Sequence, residues 1–298
     1  MTLSQLSIET KTWTWHGYPI TYQTCGENGT PIVCVHGFGA SSGHWRKNLP
    51  TLGQSFQCYA IDLIGFGGSA KPKPGNEINY TFETWGQQIV DFCQEVVGSP
   101  VVLVANSIGC VAAMQAAVIQ PDISLGVINL NISLRLLHER KRDTLPLHRR
   151  LGAPLFQKIL SYPPLCRLFF QQLAKPKTVR KVLLQAYNHP EAVTDELVEI
   201  LITPAKDEGA PDVFAAFIGY SQGPLPEDLL PQLSCPVLIL WGTKDPWEDI
   251  ELGKKLGEFE TVEKFIPLSD LGHCPQDEAP EVVNPIIEQW INEHEFIH

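Results

Sequence analysis

Residues 105–109, Ala-Asn-Ser-Ile-Gly, come directly after an apolar run and contain a serine with small residues two positions before and after it. The run before it, residues 101–104, is typical of a strand, and residues 110–119 have a composition that suits a helix. A side chain held at a sharp strand-to-helix turn needs small residues two positions before and after it, because backbone segments approach closely there. Ala105 and Gly109 meet this requirement. The pattern predicts Ser107 as a nucleophile; its alternative is a buried strand followed by an ordinary loop.

A serine hydroxyl is a weak nucleophile at neutral pH and needs a neighbouring imidazole, which a carboxylate orients in turn. Two later residues fit these roles. Asp245 follows the apolar run 235–242, and His273 lies in a loop between a candidate strand, 261–267, and the last helix. We predict Asp245 as the carboxylate and His273 as the base; the alternatives are a turn-forming aspartate and a loop histidine. Three acidic residues compete with Asp245: Glu248, Asp249 and Asp270.

Backbone donors must stabilise the oxyanion that forms when a serine attacks a carbonyl group. The N–H of Ile108 begins the helix after Ser107, where the helix dipole also favours negative charge. The N–H of Phe38 lies in "HGFG", residues 36–39, directly after an apolar run. We therefore predict an oxyanion hole formed by Phe38 and Ile108, with Gly37 and Asn106 in contact with the substrate. The alternative for "HGFG" is a simple turn that ends a strand.

Five short apolar runs must position these residues, and none shows the strict alternation of a strand that is solvated on one face. They are residues 31–39, 56–67, 101–107, 125–133 and 235–242. Such runs are typical of strands that are covered on both faces. Helical stretches separate most of them, and ligands bind at the carboxyl ends of the strands in such a fold. The sequence therefore predicts a mainly parallel, doubly wound α/β sheet, preceded by a hairpin around His16-Gly17.

The alternation of strands and helices stops between Ile132 and about Leu233, where leucine, aromatic residues and proline dominate. We predict a helical cap, 133–233, inserted between two parts of an α/β core, 1–132 and 234–298. Within residues 134–181, twelve Lys or Arg stand against two acidic residues, and Arg149, Arg150 and Lys158 are among the cations. Cations interleaved with apolar residues predict contact with an anionic membrane surface. The alternative is a solvated face that covers an apolar pocket.

The composition excludes several other classes of protein. The formal net charge of −11 argues against nonspecific binding to nucleic acid. Eight scattered cysteines without metal-ligand spacing predict buried, reduced thiols rather than disulfides or zinc sites. The N-terminal stretch lacks a signal-peptide pattern, and no apolar run is long enough to span a membrane. We therefore expect a cytoplasmic protein, with peripheral contact at a membrane surface.

Five motifs together resemble the α/β-hydrolase superfamily over nearly the whole chain. They are residues 36–39, 62–69, 105–109, 241–245 and 272–273. The order Ser107, Asp245, His273 along the chain is that of these hydrolases. The pair Asn106-Ser107, followed by a long cap, is similar to the chlorophyll dephytylase and pheophytinase branch of cyanobacteria and chloroplasts.

This resemblance implies hydrolysis of the phytyl ester of chlorophyll or pheophytin, at or near a thylakoid membrane and without a metal or organic cofactor. Two alternatives stay open. An Asn-Ser pair also occurs in hydrolases that cleave carbon–carbon bonds of anionic ring-fission diketones. Some relatives of this fold serve as small-molecule receptors, which retain a complete triad but turn over slowly.

Overall fold

One eight-stranded sheet runs through the part of the chain that the computed structural model describes, residues 6–75, 78–144, 152, 157–158, 160 and 162–296. Arg149 and Arg150 lie outside these residues. The strands lie in the order β1-β2-β4-β3-β5-β6-β7-β8. Their bounds are β1 Glu9–Trp15, β2 Tyr18–Cys25, β3 Pro31–Val35, β4 Gln57–Ile61, β5 Val101–Asn106, β6 Ser124–Leu130, β7 Val237–Gly242 and β8 Val262–Leu268.

The first strands differ from the rest in direction. Strand β2 pairs antiparallel with β1 and with β4, whereas every pair from β4 to β8 is parallel. His16 and Gly17, both at positive φ, form the turn between β1 and β2. The predicted hairpin and the predicted mainly parallel α/β sheet are therefore confirmed.

Helices cover both faces of the sheet and also follow β6 in the chain. Their bounds are α1 Leu49–Leu52, α2 Phe82–Phe92, α3 Ile108–Ile119, α4 Pro163–Leu173, α5 Pro176–Ala186, α6 Asp195–Ala205, α7 Ala210–Gly219, α8 Pro226–Leu229, α9 Ile250–Leu256, α10 Pro275–Glu278 and α11 Pro280–Glu293. Thr81 caps α2 because the Thr81 hydroxyl accepts the Thr84 N–H. After Phe92 the helical chain continues as a wider π-type turn, Cys93–Val97.

Strand β5, which precedes Ser107, shows why the apolar runs lack alternation. All six of its residues are buried. Leu103 and Ala105 pack into the layer that contains helices α2 and α3, and Val102 and Val104 pack into the opposite layer with α1 and α11. Both faces of this strand are therefore apolar because helices cover both of them.

Helices α4 to α7 occupy the segment in which the sequence predicts a cap. Phe169, Phe170 and Leu173 of α4 pack around Phe214 of α7. Leu183 of α5 and the apolar face of α6 form a second small cluster. The helical character of this segment agrees with the prediction, whereas the limits 133–233 of a cap domain stay a prediction.

Two further expectations concern thiols and membrane spans. All eight cysteines are free, and only Cys235 is not fully buried. Among the residues that the structure describes, no helix combines the length and the apolar character that crossing a bilayer requires.

Candidate active site

Ser107 lies at the junction of β5 and α3 in a backbone conformation that residues other than glycine rarely adopt. Its φ is 58° and its ψ is −123°. Three backbone hydrogen bonds hold it there: the Ser107 N–H donates to Leu130, and its carbonyl accepts from Cys110 and Ser133. A residue held at positive φ by its surroundings is a frequent feature of functional sites. The turn presents the Ser107 hydroxyl above the carboxyl ends of the parallel strands.

The small residue at position 109 is explained by close contact between α3 and the end of β3. A Cβ atom on Gly109 would lie 2.5 Å from the His36 carbonyl oxygen and 2.7 Å from that of Val35. Real Cβ atoms do not approach backbone oxygens so closely, so a larger residue would push α3 away from the sheet. The requirement for a small residue two positions after the serine is therefore met for the expected reason.

The three residues predicted as a catalytic set are brought into one chain of hydrogen bonds. His273 Nε2 lies 2.9 Å from Ser107 Oγ, and His273 Nδ1 lies 2.7 Å from Asp245 Oδ2. An ionised carboxylate can only accept, so Nδ1 carries a proton and donates it to Asp245. Nε2 is then left with the lone pair that accepts the Ser107 hydroxyl proton. This arrangement can activate a serine as a nucleophile.

The acidic competitors have other partners. Glu248 Oε2 accepts the Leu134 N–H, and the Asp249 carboxylate caps α9 by accepting the Glu251 N–H. The backbone of Asp270 is bonded elsewhere, since its N–H donates to the Thr243 hydroxyl and its carbonyl accepts from Asn188, and among the described residues His273 Nδ1 bonds Asp245 instead. Asp245 is therefore the acid that the structure places against His273.

Asp245 is held as an anion by four donors. Oδ2 accepts from His273 and from Asn131 Nδ2 at 2.7 Å, and Oδ1 accepts the N–H groups of Trp247 and Glu248. Burial alone would raise the pKa of this carboxyl, but these hydrogen bonds and the charge of His273 lower it below its ordinary value. Asp245 can therefore stay ionised while it orients His273.

Asn131 is a functional residue that the sequence analysis missed. It lies directly after β6 at φ 48°, and its amide spans two loops. Nδ2 donates to Asp245, and Oδ1 accepts the Gly242 N–H at 3.1 Å. The available signal was its position as a polar residue at the carboxyl end of a parallel strand, the same edge of the sheet that carries Ser107.

Asn106, predicted to contact the substrate, also supports His273. Its Nδ2 donates to the carbonyl oxygens of His273 at 3.0 Å and Leu130 at 3.1 Å. The residue lines the cavity described below together with Gly37, so both predicted contact residues lie at the site.

The loop after β3 lies against Ser107. A Cβ atom on Gly37 would be 3.1 Å from the Ser107 Cβ, which leaves little room for any other residue. His36 fixes this loop because its Nδ1 donates to the Gly37 carbonyl and its Nε2 accepts the Leu63 N–H. Burial lowers the pKa of His36, which favours the neutral ring that this pattern needs. The position of Phe38 next to Gly37 suits the predicted oxyanion donor, and Ile108 begins α3 as expected.

A cavity of about 450 Å³ opens onto Ser107 and His273 between the sheet edge and helices α4 to α7. Its lining is mostly apolar and includes Phe170, Leu173, Val179, Leu183, Leu201 and Val213. The Phe38 ring, partly exposed, stacks on Phe217 with centroids 4.5 Å apart at this boundary. The cavity suits an apolar ligand that presents one reactive group to Ser107.

Among the described lining residues, Lys71 is the one Lys or Arg, and its ammonium is already engaged. Lys71 Nζ donates to the carbonyls of Gly67 and Ser69 and pairs with Asp207 at 2.7 Å. The acidic residue of the lining is Glu248, whose partly buried carboxyl lies close to Asp245 and His273. The cavity therefore offers little attraction to a substrate carboxylate.

The pH dependence of the free energy of unfolding should report the raised pKa of Glu248. Burial raises the pKa of Glu248 to about 7, above the 4.5 of an exposed glutamate. The folded state thus binds this proton more tightly than the unfolded chain does. The stability that the bound proton contributes is fully present below the unfolded pKa and is lost as the pH rises through about 7. Between about pH 5 and about pH 8 we expect wild type to lose about 2 to 3 kcal/mol more than Glu248→Gln.

Urea denaturation at both pH values measures this difference. The glutamine oxygen can still accept the Leu134 N–H, so the variant removes the titration and keeps the hydrogen bond. Glu251→Gln, which changes an exposed glutamate on α9, is the control and should follow wild type. Equal pH dependence in all three proteins would show that Glu248 titrates normally.

The sheet, the strand-to-helix turn at Ser107 and the hydrogen-bonded Ser107, His273 and Asp245 define a protein of the α/β-hydrolase fold. A family model described as "Alpha/beta hydrolase family" matches residues 32–286, so the chain belongs to this family. The resemblance seen in the sequence motifs is thereby confirmed.

Named relatives are hydrolases of several kinds. The chain is 25% identical over 294 residues to a chloroplastic pheophytinase of Arabidopsis thaliana, with 87% of this chain and 60% of that protein covered. It thus spans about 60% of the length of that relative. It is 26% identical over 282 residues to a 2-hydroxy-6-oxo-6-(2'-aminophenyl)hexa-2,4-dienoic acid hydrolase of Metapseudomonas resinovorans, with 89% and 84% covered.

A solved structure of the epoxide hydrolase CorEH has a TM-score of 0.80 and 20% identity to this chain, with 96% and 99% covered. At this identity the likeness shows the fold alone. The curated relatives support a hydrolase, and they differ in the bond that they cleave.

Proposed function

We propose that this protein is a serine hydrolase that cleaves a carboxylic ester of a bulky apolar substrate, with the phytyl ester of chlorophyll or pheophytin as that substrate. The observation that carries the proposal is the Ser107–His273–Asp245 hydrogen-bond chain at the floor of an apolar cavity. The similarity to a pheophytinase over most of this chain supports the choice of ester.

Acyl transfer follows from this geometry. His273 Nε2 accepts the Ser107 proton while Ser107 Oγ attacks the ester carbonyl carbon, and the N–H groups of Phe38 and Ile108 donate to the oxyanion. The tetrahedral intermediate then collapses, the C–O bond breaks, and His273 gives its proton to the leaving alcohol. Water, deprotonated by His273, attacks the acyl-enzyme and releases the acid with Ser107 restored. The ionised Asp245 stabilises the imidazolium in both steps.

The alcohol side of the ester fits the cavity. A phytyl group is a long, branched hydrocarbon, and burying such a chain against leucine, valine and phenylalanine is favourable by about 0.8 kcal/mol per CH₂. The large pigment ring then lies at the cavity mouth, where Phe38, Val182 and Trp247 are partly exposed. Binding energy from the chain would hold the ester carbonyl at Ser107.

A carbon–carbon bond hydrolase is the second candidate, which the similarity to the dienoic acid hydrolase favours. Substrates of that kind carry carboxylates. Lys71 is occupied by Asp207 and two carbonyls, and Glu248 brings a further carboxyl to the cavity. The charge of the described lining therefore favours an uncharged ester over an anionic diketone.

Sustained phytol release is the experiment that tests the function. Chlorophyll a and pheophytin a are supplied in detergent, and phytol and the pigment acid are quantified over many turnovers. We expect multiple turnover on one or both pigments. Turnover of short p-nitrophenyl esters without phytol release would support a serine esterase and would reject the pigment ester as its substrate. One slow turnover with tight binding would instead indicate a receptor of this fold.

The proposal includes peripheral contact with an anionic membrane through helices α4 and α5. Residues 162–186 contain five Lys or Arg and no acidic residue. Large apolar side chains in this stretch are 40% to 59% exposed: Tyr162, Leu165, Leu168, Val182 and Leu184. Val182 also lines the cavity, so the exposed apolar surface continues into it. Such a surface suits a substrate that arrives from a lipid phase.

Neutralising cations of this surface should weaken membrane binding. We expect Lys175→Gln, Lys177→Gln and Lys181→Gln together to lower binding to phosphatidylglycerol-containing vesicles by roughly 100-fold, since each cation near anionic lipid contributes about 1 kcal/mol. Vesicle sedimentation measures this change.

A triple variant at exposed lysines elsewhere, Lys11→Gln, Lys255→Gln and Lys264→Gln, carries the same change in net charge and is the control. Equal loss in both triple variants, or no loss in either, would reject α4 and α5 as the membrane-binding surface.

A further inference from the structure

We infer that Glu278 is a positioning residue that ties the end of cap helix α5 to the loop carrying His273. The inference rests on the proposed function, because His273 matters only if it acts as the base. Glu278 lies outside the Ser107–His273–Asp245 chain and does not line the cavity. Its effect would therefore reach the reaction through His273.

The Glu278 carboxylate joins two segments that are far apart in sequence. Oε1 accepts the N–H groups of Asn188 at 2.9 Å and His189 at 2.8 Å, directly after α5. Oε2 accepts the N–H of Gly272 at 2.8 Å, next to His273. Glu278 is 8% exposed, so water does not compete strongly for these bonds. One side chain thus holds the cap segment 186–189 and the histidine loop together.

The backbone of His273 is fixed directly by the same cap segment. Its N–H donates to the Ala186 carbonyl at 2.8 Å, while its own carbonyl accepts from Asn106, beside the nucleophile. A Cβ atom on Gly272 would lie 2.1 Å from the Ala186 oxygen, so the two segments are packed too closely for a side chain at position 272. Displacing residue 186 would therefore move the ring of His273 relative to Ser107.

A second polar link reinforces this junction. The Tyr187 hydroxyl donates to Asp277 Oδ2 at 2.9 Å, and Asp277 Oδ1 pairs with Arg46 at 2.6 Å. Since the single hydroxyl proton goes to Asp277, the Tyr187 oxygen accepts from His44 Nε2 at 2.8 Å. This end of the cap is thus anchored to the core by adjacent residues of α10, Asp277 and Glu278.

Glu278→Gln tests the inference with a minimal change in shape. Glutamine keeps one acceptor oxygen, which can still serve Asn188 and His189, but its NH₂ then faces the Gly272 N–H. We expect kcat for a soluble p-nitrophenyl ester to fall roughly 10- to 100-fold with little change in KM, because small displacements of a catalytic group have effects of this size. The rate of Ser107 labelling by a fluorophosphonate should fall in parallel.

A spectroscopic readout separates positioning from a loss of stability. The proton between His273 Nδ1 and Asp245 gives a downfield ¹H NMR resonance, which we expect to shift or broaden in Glu278→Gln at temperatures well below unfolding. Gly272→Ala places a Cβ atom 2.1 Å from the Ala186 oxygen and 3.0 Å from Glu278 Oε2, so it disturbs the same junction from the histidine loop and should give the same changes. If Glu278→Gln does not fold, Gly272→Ala provides the test alone.

Thr81→Ala is the matched control, since it removes a side-chain hydrogen bond to a backbone N–H at the start of α2, and Thr81 belongs neither to the cavity lining nor to the His273 loop. It should lower stability and leave the labelling rate and the resonance as in wild type. Wild-type labelling, kcat and resonance in a folded Glu278→Gln or Gly272→Ala would overturn the inference. Labelling of the wild-type protein itself tests Ser107 as the nucleophile. A failure of the proposed function would therefore be distinguished from a failure of the inference, because the resonance still reports on the effect of Glu278 on His273.

Discussion

Ser107→Ala should reduce kcat by roughly 10⁴- to 10⁶-fold while the fold is retained, because it removes the proposed nucleophile that forms the acyl-enzyme. Among the described residues, the side chain of Ser107 bonds His273 Nε2 alone, and the backbone of the turn is held by Leu130, Cys110 and Ser133. Alanine therefore removes the nucleophile and keeps these contacts. Phytol release from pheophytin a and hydrolysis of a p-nitrophenyl ester should fall together.

Ser55→Ala is a suitable control, since that hydroxyl bonds Glu288 at the surface on the other side of the sheet. Its kcat should equal that of wild type. Circular dichroism and the urea midpoint check that Ser107→Ala is folded. A folded Ser107→Ala protein with more than a hundredth of wild-type kcat would contradict the proposed mechanism.

Asp245→Asn is expected to lower kcat by about 10³- to 10⁴-fold through the tautomer of His273. Both carboxylate oxygens accept hydrogen bonds, Oδ2 from His273 and Asn131 and Oδ1 from two backbone N–H groups. The asparagine side chain has one acceptor oxygen in place of two. Its NH₂ group must therefore face hydrogen-bond donors, either His273 and Asn131 or the two backbone N–H groups. If the NH₂ faces His273, the imidazole has to carry its proton on Nε2, where it cannot accept the proton of Ser107.

A pH-rate comparison on the p-nitrophenyl ester checks this expectation, with Asp249→Asn as the control because that carboxylate only caps α9. Asp249→Asn should retain wild-type kcat. If Asp245→Asn kept a tenth of the activity and Glu248→Gln removed the remainder, Glu248 would be the acid that orients His273 and our assignment would be wrong.

Much of the sheet and the grouping of Ser107, Asp245 and His273 could be predicted from the chain alone. Each of the three residues follows an apolar run directly or within a short loop, and the carboxyl ends of parallel strands meet at one edge. Local patterns were sufficient here because each pattern places its residue at the end of a strand, and the parallel sheet then brings the three residues together. The pattern that predicted the hairpin at His16-Gly17 was equally local.

The supporting residues could not be predicted in the same way. Asn131 reaches Asp245 across 114 positions, and Glu278 reaches Asn188 across 90. Such contacts depend on how loops and the cap pack, which no spacing in the sequence encodes. The helical composition of the cap was visible, but its apolar residues could not be assigned to the cavity or to the surface before α4 and α7 were seen to pack around Phe214.

The positive φ of Ser107 has a consequence for how this fold diversifies. At φ 58° a β-branched residue is more strained than serine, cysteine or aspartate, so the turn does not by itself select serine over another unbranched nucleophile. The surrounding contacts maintain the backbone shape, and the identity of residue 107 is left free to vary. A single substitution at this position could then exchange the reacting atom while the proposed base and oxyanion donors stay in place.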